Sequence, residues 1–473
     1  MRDMRLLVLG AGPAGIAAAL QARELGAEVT LLEAGQAGGT SLNRGPAPVR
    51  TLARAARLMR DTSSWGLFGL EGDPPTPNLR SVLANGARVA RYAHEKKNLA
   101  GRLRGHGIDL VDELGEVGFI EPHTVRARDG RTWHGDRVIV AVGGVPARLS
   151  IPGADMALTY GDIRSLTELP ARAAVVGGAD TGCQITSILA DFGVAVHLFE
   201  AGSSLIPSAD SSVSTDLRNA FDRRGIEVHT ESLVEELRRE GPGIIVRYTT
   251  GEVESRADVD AVFFAVGWPA NLNELGLEAA GVMTERRAIP VDAYLRTNIE
   301  HIFAVGDVNG RSMLVQTARM EGRLAAQNAV SGPTRQAAYD VVPSASFTDP
   351  EYGGVGLTER EAAANNDIVV GVARYDDLLR PVADGRSEGF CKLIVDRPTH
   401  MVLGAHVIGD YSAEIVQMVA ACMAAQMPIE QMAELQLAYP TFTEGVTMAA
   451  QKVCRTIGIG PFPEVWSHLG PDD

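Results

Sequence analysis

Residues 6–9 are an unbroken apolar run, and the chain then turns through Gly10-Ala11-Gly12-Pro13-Ala14-Gly15 into an alanine-rich stretch that reaches about residue 25. A second apolar run at 29–32 stops at Glu33. The pattern predicts a strand, a tight glycine turn, a helix, a strand and a terminal acid. It occurs again later. Residues 173–176 are apolar, Gly177-Gly178-Ala179-Asp180-Thr181-Gly182 opens a helical stretch, and a strand over 194–199 ends at Glu200, with the same interval from last glycine to acid. Glycines in such a turn let the backbone approach a pyrophosphate at the positive end of the helix, and the acid accepts from ribose hydroxyls. Each unit therefore predicts a bound dinucleotide. In the second, Ala179 puts a methyl group where the middle glycine would be, which weakens the motif without erasing it. Glu200 repels a 2′-phosphate and suits a free 2′-hydroxyl, so NADH is favoured over NADPH.

Further apolar runs end in glycine at 138–144, which closes on Gly143-Gly144, and at 262–267, which closes on Gly267. A third, over 297–307, ends in Gly306-Asp307. From about residue 341 the composition changes, with strand patterns over 391–395 and 401–408 and helical patterns over 413–425 and 444–453. A chain of 473 residues exceeds one core and suits roughly three domains. The formal net charge of -15 argues against a grip on nucleic acid or anionic membrane, which both need basic surface. No apolar run is long enough to span a bilayer, and the first residues lack the pattern of a signal peptide, so small-molecule partners and a cytoplasmic location are expected.

Cys183, Cys391, Cys422 and Cys454 are scattered and read as small buried hydrophobes. The ten histidines form no HxxxH or HxH pair, so no metal site is expected.

These motifs, together with residues 347–359 (Phe-Thr-Asp-Pro-Glu-Tyr-Gly-Gly-Val-Gly-Leu-Thr-Glu), resemble the class I flavoprotein, or pyridine nucleotide-disulfide, oxidoreductases along essentially the whole chain. The resemblance implies an α/β fold with two Rossmann-like domains, one for FAD and one for NAD, plus a C-terminal α+β dimerisation domain and hence a homodimer. It divides the chain into an FAD-binding part at 1–150, an NAD-binding domain at 151–264, an FAD return segment at 265–340 and the dimerisation domain at 341–473. FAD would be held by Gly10, Gly12, Gly15, Glu33, Gly39, Thr40, Gly143, Gly306 and Asp307, the last on the ribityl hydroxyls. NAD(H) would be held by Gly177, Ala179, Gly182, Glu200 and Gly267.

The resemblance fails at one segment. Residues 38–50 read Gly-Gly-Thr-Ser-Leu-Asn-Arg-Gly-Pro-Ala-Pro-Val-Arg, and the family's two redox cysteines are replaced by Ser41 and Pro46. The family's lysine and glutamate beside the flavin correspond to Arg50 and Gln184, a pair expected to leave a net positive charge; alternatively Arg50 binds an FAD phosphate and Gln184 fills the helix. Asp180 takes the place of a tyrosine that covers the flavin, which opens that side, unless Asp180 caps the helix. In Tyr439-Pro440-Thr441 with Glu444, tyrosine replaces the family's catalytic histidine, much as in the soluble pyridine nucleotide transhydrogenases. A tyrosine donates protons but is a poor base at neutral pH.

The resulting expectation is an FAD-dependent enzyme that oxidises NADH beside Gln184 and hands electrons from flavin directly to a small non-disulfide acceptor, quinone-like or another organic molecule. That acceptor would sit among Ser41, Arg50 and, from the second subunit, Tyr439 and Glu444. A pyridine nucleotide transhydrogenase and a non-enzymatic FAD-binding sensor or scaffold are the alternatives.

Overall fold

The computed structural model describes residues 4–460 and 462, with backbone alone at 46 and 47. The first apolar run forms the buried part of strand Arg5–Leu9, flanked in parallel by Glu28–Leu32 and Arg137–Val140. Ile302–Ala304 and Asp109–Val111 extend this to a five-stranded parallel sheet in the order 302–304, 137–140, 5–9, 28–32, 109–111. A parallel sheet covered on both faces needs continuous apolar strands, and these runs supply them. Helix Pro13–Glu24 buries Ala14, Ala18, Ala19 and Ala22 in the same core as helix Val315–Ser331. The small side chains allow close contact: a Cβ on Gly322 would lie 2.1 Å from the Ala14 carbonyl oxygen.

The second unit repeats the plan, with parallel strands in the order 227–229, 195–199, 172–176, 261–264, 158–159. Helix Asp180–Asp191 buries Cys183, Ile185, Ile188 and Leu189. An antiparallel sheet of Ser232–Glu240, Gly243–Thr250 and Val253–Val259 shares a core with Phe199 and Phe264. The C-terminal part is an antiparallel sheet, in the order 344–346, 352–356, 402–408, 390–396, 368–374, whose core also takes in helices Ser412–Ala424 and Glu444–Ile457. Among the described residues no helix is long and apolar enough to cross a membrane.

Helix Pro46–Asp61 ties the three parts together. Its Val49, Leu52 and Ala56 enter a core shared with Ile163, Cys183 and Ile185 of the second unit and with Tyr352 and Phe390 of the C-terminal sheet. Its polar face carries half-buried Arg57 and Arg60 into an ionic cluster around buried Asp349. Arg57 pairs with Asp349 at 3.0 Å and also with Asp410 and Asp61, while Arg60 pairs with Asp349 and Arg386 with Asp61. From the second unit, Arg224 donates to the Asp349 carbonyl and pairs with Asp191. Burial would raise the Asp349 pKa, but Arg57, Arg60, Arg224 and Arg386 outweigh it and hold the carboxyl below its ordinary value of 3.8.

Removing one partner of such a cluster leaves buried charge uncompensated. Asp349→Asn is expected to cost about 3–5 kcal/mol at neutral pH, read as a lower denaturation midpoint. A depressed pKa stabilises above the unfolded value and loses that contribution as pH falls through the folded one, so the gap between variant and native protein should hold down to about pH 4 and narrow below it. A midpoint unchanged at pH 7 would contradict this assignment.

Candidate active site

Both glycine turns sit at the C-terminal edges of their parallel sheets, where open α/β folds bind ligands, and both open into one cleft of about 1790 Å³. Gly10 has φ +100° and a Cβ there would lie 2.5 Å from the Ala141 oxygen; Gly177 has φ +106° and its Cβ would lie 2.4 Å from the Ala265 oxygen. Only glycine fits either place. Gly15 and Gly182 lie beneath the turns rather than in the cleft, where a Cβ would fall 1.8 Å from the Gly10 oxygen and 1.7 Å from the Gly177 oxygen. They let each helix press onto its turn.

The acids act alike in the two units. Glu33 accepts from the Ala11 N–H at 2.6 Å and the Gly35 N–H at 3.0 Å. Glu200 accepts from the Gly178 and Gly202 N–H groups, both at 2.6 Å. Each carboxylate thus stands at its glycine turn, next to where a ribose would lie. Ala179 lines the cleft as the N-cap of helix Asp180–Asp191, and Gly12, Gly39, Thr40, Gly143 and Gly267 line it too. Gly39 packs so closely on Gly12 that its Cβ would lie 2.6 Å from the Gly12 Cα.

At the far side of the first turn, Gly306 and Asp307 line the cleft, and the Trp268 indole N–H donates to Asp307 at 3.1 Å. Burial raises the Asp307 pKa, with the Trp268 bond opposing it. The turn is held by Glu321, fully buried on helix Val315–Ser331. Its carboxylate accepts from the Gly306 N–H at 2.6 Å, the Asn309 side chain at 2.8 Å and the Tyr339 hydroxyl at 2.7 Å.

Ser41 and Gln184 also line this cleft. Ser41 donates to the Gly38 oxygen at 3.4 Å, and the Gln184 amide donates to Ser346 at 3.0 Å. Arg50 is not with them. It is absent from the cleft lining, pairs with Glu351 at 3.1 Å and stacks on Phe347 at 3.9 Å, and Phe347 faces the cleft. The expected net positive charge is corrected accordingly: Glu351 neutralises Arg50. Asp180 is the first residue inside its helix, whose N-cap is Ala179; it accepts from the hydroxyl of buried Tyr352, so a tyrosine from the C-terminal sheet borders the side expected to be open. Tyr439 and Glu444 lie outside this chain's cleft. Tyr439 is 69% exposed, and Glu444 Oε2 is buried without a hydrogen-bond partner among the described residues.

Residues 4–322 match the family described as pyridine nucleotide-disulphide oxidoreductase, and 342–450 match that family's dimerisation domain. The chain belongs to this family. Among its relatives, dihydrolipoyl dehydrogenase of Bacillus subtilis is 29% identical over 94% of this chain and 95% of its own. Mercuric reductase of Staphylococcus aureus is 29% identical over 95% of this chain and 82% of its own. The solved HOCl-induced flavoprotein disulfide reductase RclA of Escherichia coli superposes with a TM-score of 0.84 at 25% identity, covering 95% of this chain and all of that one.

The family's cofactors are FAD and NAD(H), and the cradle fits both. Two glycine turns, where a Cβ at Gly10 or Gly177 would meet backbone and the second of which carries the Ala179 methyl, flank a single cleft, each with its acid, and the half-buried Asp307 lines the same cleft. The sequence reading missed Glu321, Trp268 and Tyr352. The signal for Glu321 was an acid on the apolar face of a helix, visible only once that face is known.

Glu321→Leu removes the acceptor for the Gly306 N–H and frees the Asp307 turn. FAD affinity is expected to fall about tenfold to hundredfold, the cost of roughly 1–3 kcal/mol for an unsatisfied buried donor. Flavin release followed by fluorescence measures it, and unchanged retention would contradict the role.

Proposed function

We propose that the protein is an FAD-dependent oxidoreductase that oxidises NADH and passes electrons from the flavin directly to a non-disulfide acceptor, a quinone or similar small organic molecule. The position of sulfur carries this reading. Residues 38–50 contain no cysteine, Ser41 lines the cleft, and the four cysteines are free, buried and absent from its lining. Burial pushes Cys391 up to about 12 and Cys454 up to about 11, and raises Cys183 and Cys422 as well. Thiols held protonated and out of reach make poor electron relays.

Bound FAD and NAD(H) supply hydride transfer between nicotinamide and flavin; the chain supplies placement and electrostatics. The glycine turns take the pyrophosphates, and Glu200 meets the adenosine ribose and disfavours a 2′-phosphate. Gln184, anchored on Ser346, offers an uncharged amide between the two nucleotide ends. Tyr352 and Asp180 form the adjoining wall. Because Tyr439 is exposed and lies away from its own cleft, we assign it and Glu444 to the cleft of a second subunit in a homodimer, with Tyr439 as proton donor to the acceptor.

With NADH as donor, quinones should sustain turnover, whereas lipoamide and glutathione disulfide should not, because their reduction needs an attacking thiolate. Disulfide turnover abolished by a thiol alkylator would overturn the reading. NADH should half-saturate flavin reduction at about a tenfold to hundredfold lower concentration than NADPH, equivalent to roughly 1–3 kcal/mol for a poorly paired charge. Equal half-saturation would contradict the role of Glu200.

A further inference from the structure

Strand Ala195–Phe199 pairs in parallel with the edge strand Glu227–His229, setting His197 opposite Glu227 and Phe199 opposite His229. Side chains alternate along a strand, so these four share one face. We propose that His197, Glu227 and His229 form a binding site for a zinc-class divalent transition metal, with a fourth position open to water.

His197 Nδ1 lies 3.3 Å from His229 Nε2 and 3.4 Å from Glu227 Oε2, and the three ligand atoms fall within 4.8 Å of one another. Zinc–nitrogen and zinc–oxygen bonds of about 2.0–2.2 Å in a tetrahedron place neighbouring ligand atoms about 3.3–3.5 Å apart, so both measured edges already match. Two imidazoles and one carboxylate suit zinc and its neighbours rather than magnesium or calcium. The His229 ring is set in place by stacking on Phe199, with centroids 4.7 Å apart and planes 12° apart, and by Tyr248 at 5.2 Å. Glu227 is exposed, so the metal has a path from solvent. The expectation of no metal site rested on spacing along the chain; the pairing of two strands 30 residues apart brings the ligands together.

The same contacts suit a proton shared between two rings beside an ion pair, and metal titration separates the two arrangements. FAD-loaded, chelator-treated protein without a histidine tag is titrated with zinc chloride, and cobalt(II) chloride is used to read coordination through its tetrahedral absorption bands. The native protein should bind one equivalent per chain. His229→Phe keeps the stack but removes a ligand and should weaken binding at least about a hundredfold; Glu227→Gln, an exposed conservative change, should weaken it at least about tenfold, the lower end of what supporting-shell changes cost. Flavin absorbance and ellipticity verify folding, and Glu227→Gln decides if His229→Phe does not fold. No bound equivalent in the native protein, or a first equivalent held as tightly by the folded variants, would overturn the site.

Discussion

Asp349 is the anchor on which the placement of the cleft depends. It lies in the C-terminal part, meets Arg57 and Arg60 from the helix that follows the first nucleotide unit, and accepts Arg224 from the second unit at its backbone oxygen. Three regions distant in sequence thus meet at one buried acid. Desolvating that many charges is unfavourable unless each has a partner, so the arrangement tolerates few alternatives. The apolar face of the same helix enters the shared core with Ile185 and Phe390. Together these contacts set where Phe347, Tyr352 and Ser346 stand relative to the two glycine turns.

The turns themselves were legible in the sequence because their geometry is local. Gly10, Gly15, Gly177 and Gly182 are dictated by backbone atoms a few residues away or on an adjacent strand, and Glu33 and Glu200 reach back onto their own turns. The order of apolar runs likewise foreshadowed both parallel sheets. Pairings between distant segments were not legible. Arg50 and Glu351 are 301 residues apart, and Asp180 and Tyr352 are 172 apart; nothing in either neighbourhood announces the other. The sequence correspondence put Arg50 beside Gln184, and the structure instead gives each its own partner in the C-terminal part.

The changes around the centre are chemically consistent with one another. By the resemblance, the family's paired thiols, lysine–glutamate pair and histidine base correspond in this chain to Ser41 and Pro46, Arg50 and Gln184, and Tyr439. Arg50 is neutralised by Glu351 and turned toward Phe347, so it serves the wall of the cleft rather than its charge. Asp180 and Tyr352 exchange a hydrogen bond on the same wall. The glycine turns, Glu33, Glu200 and the Asp307 turn all border one cleft, and that cleft fits the family's FAD and NAD(H).

Anaerobic titration of the FAD-loaded protein with NADH tests the central claim most directly. With no thiols in the electron path, the flavin should bleach fully at one equivalent of NADH per flavin, with no long-wavelength thiolate–flavin band at any stage. Uptake of two equivalents, or a long-wavelength band that alkylation removes, would mean that one of the four cysteines carries electrons and would contradict the account.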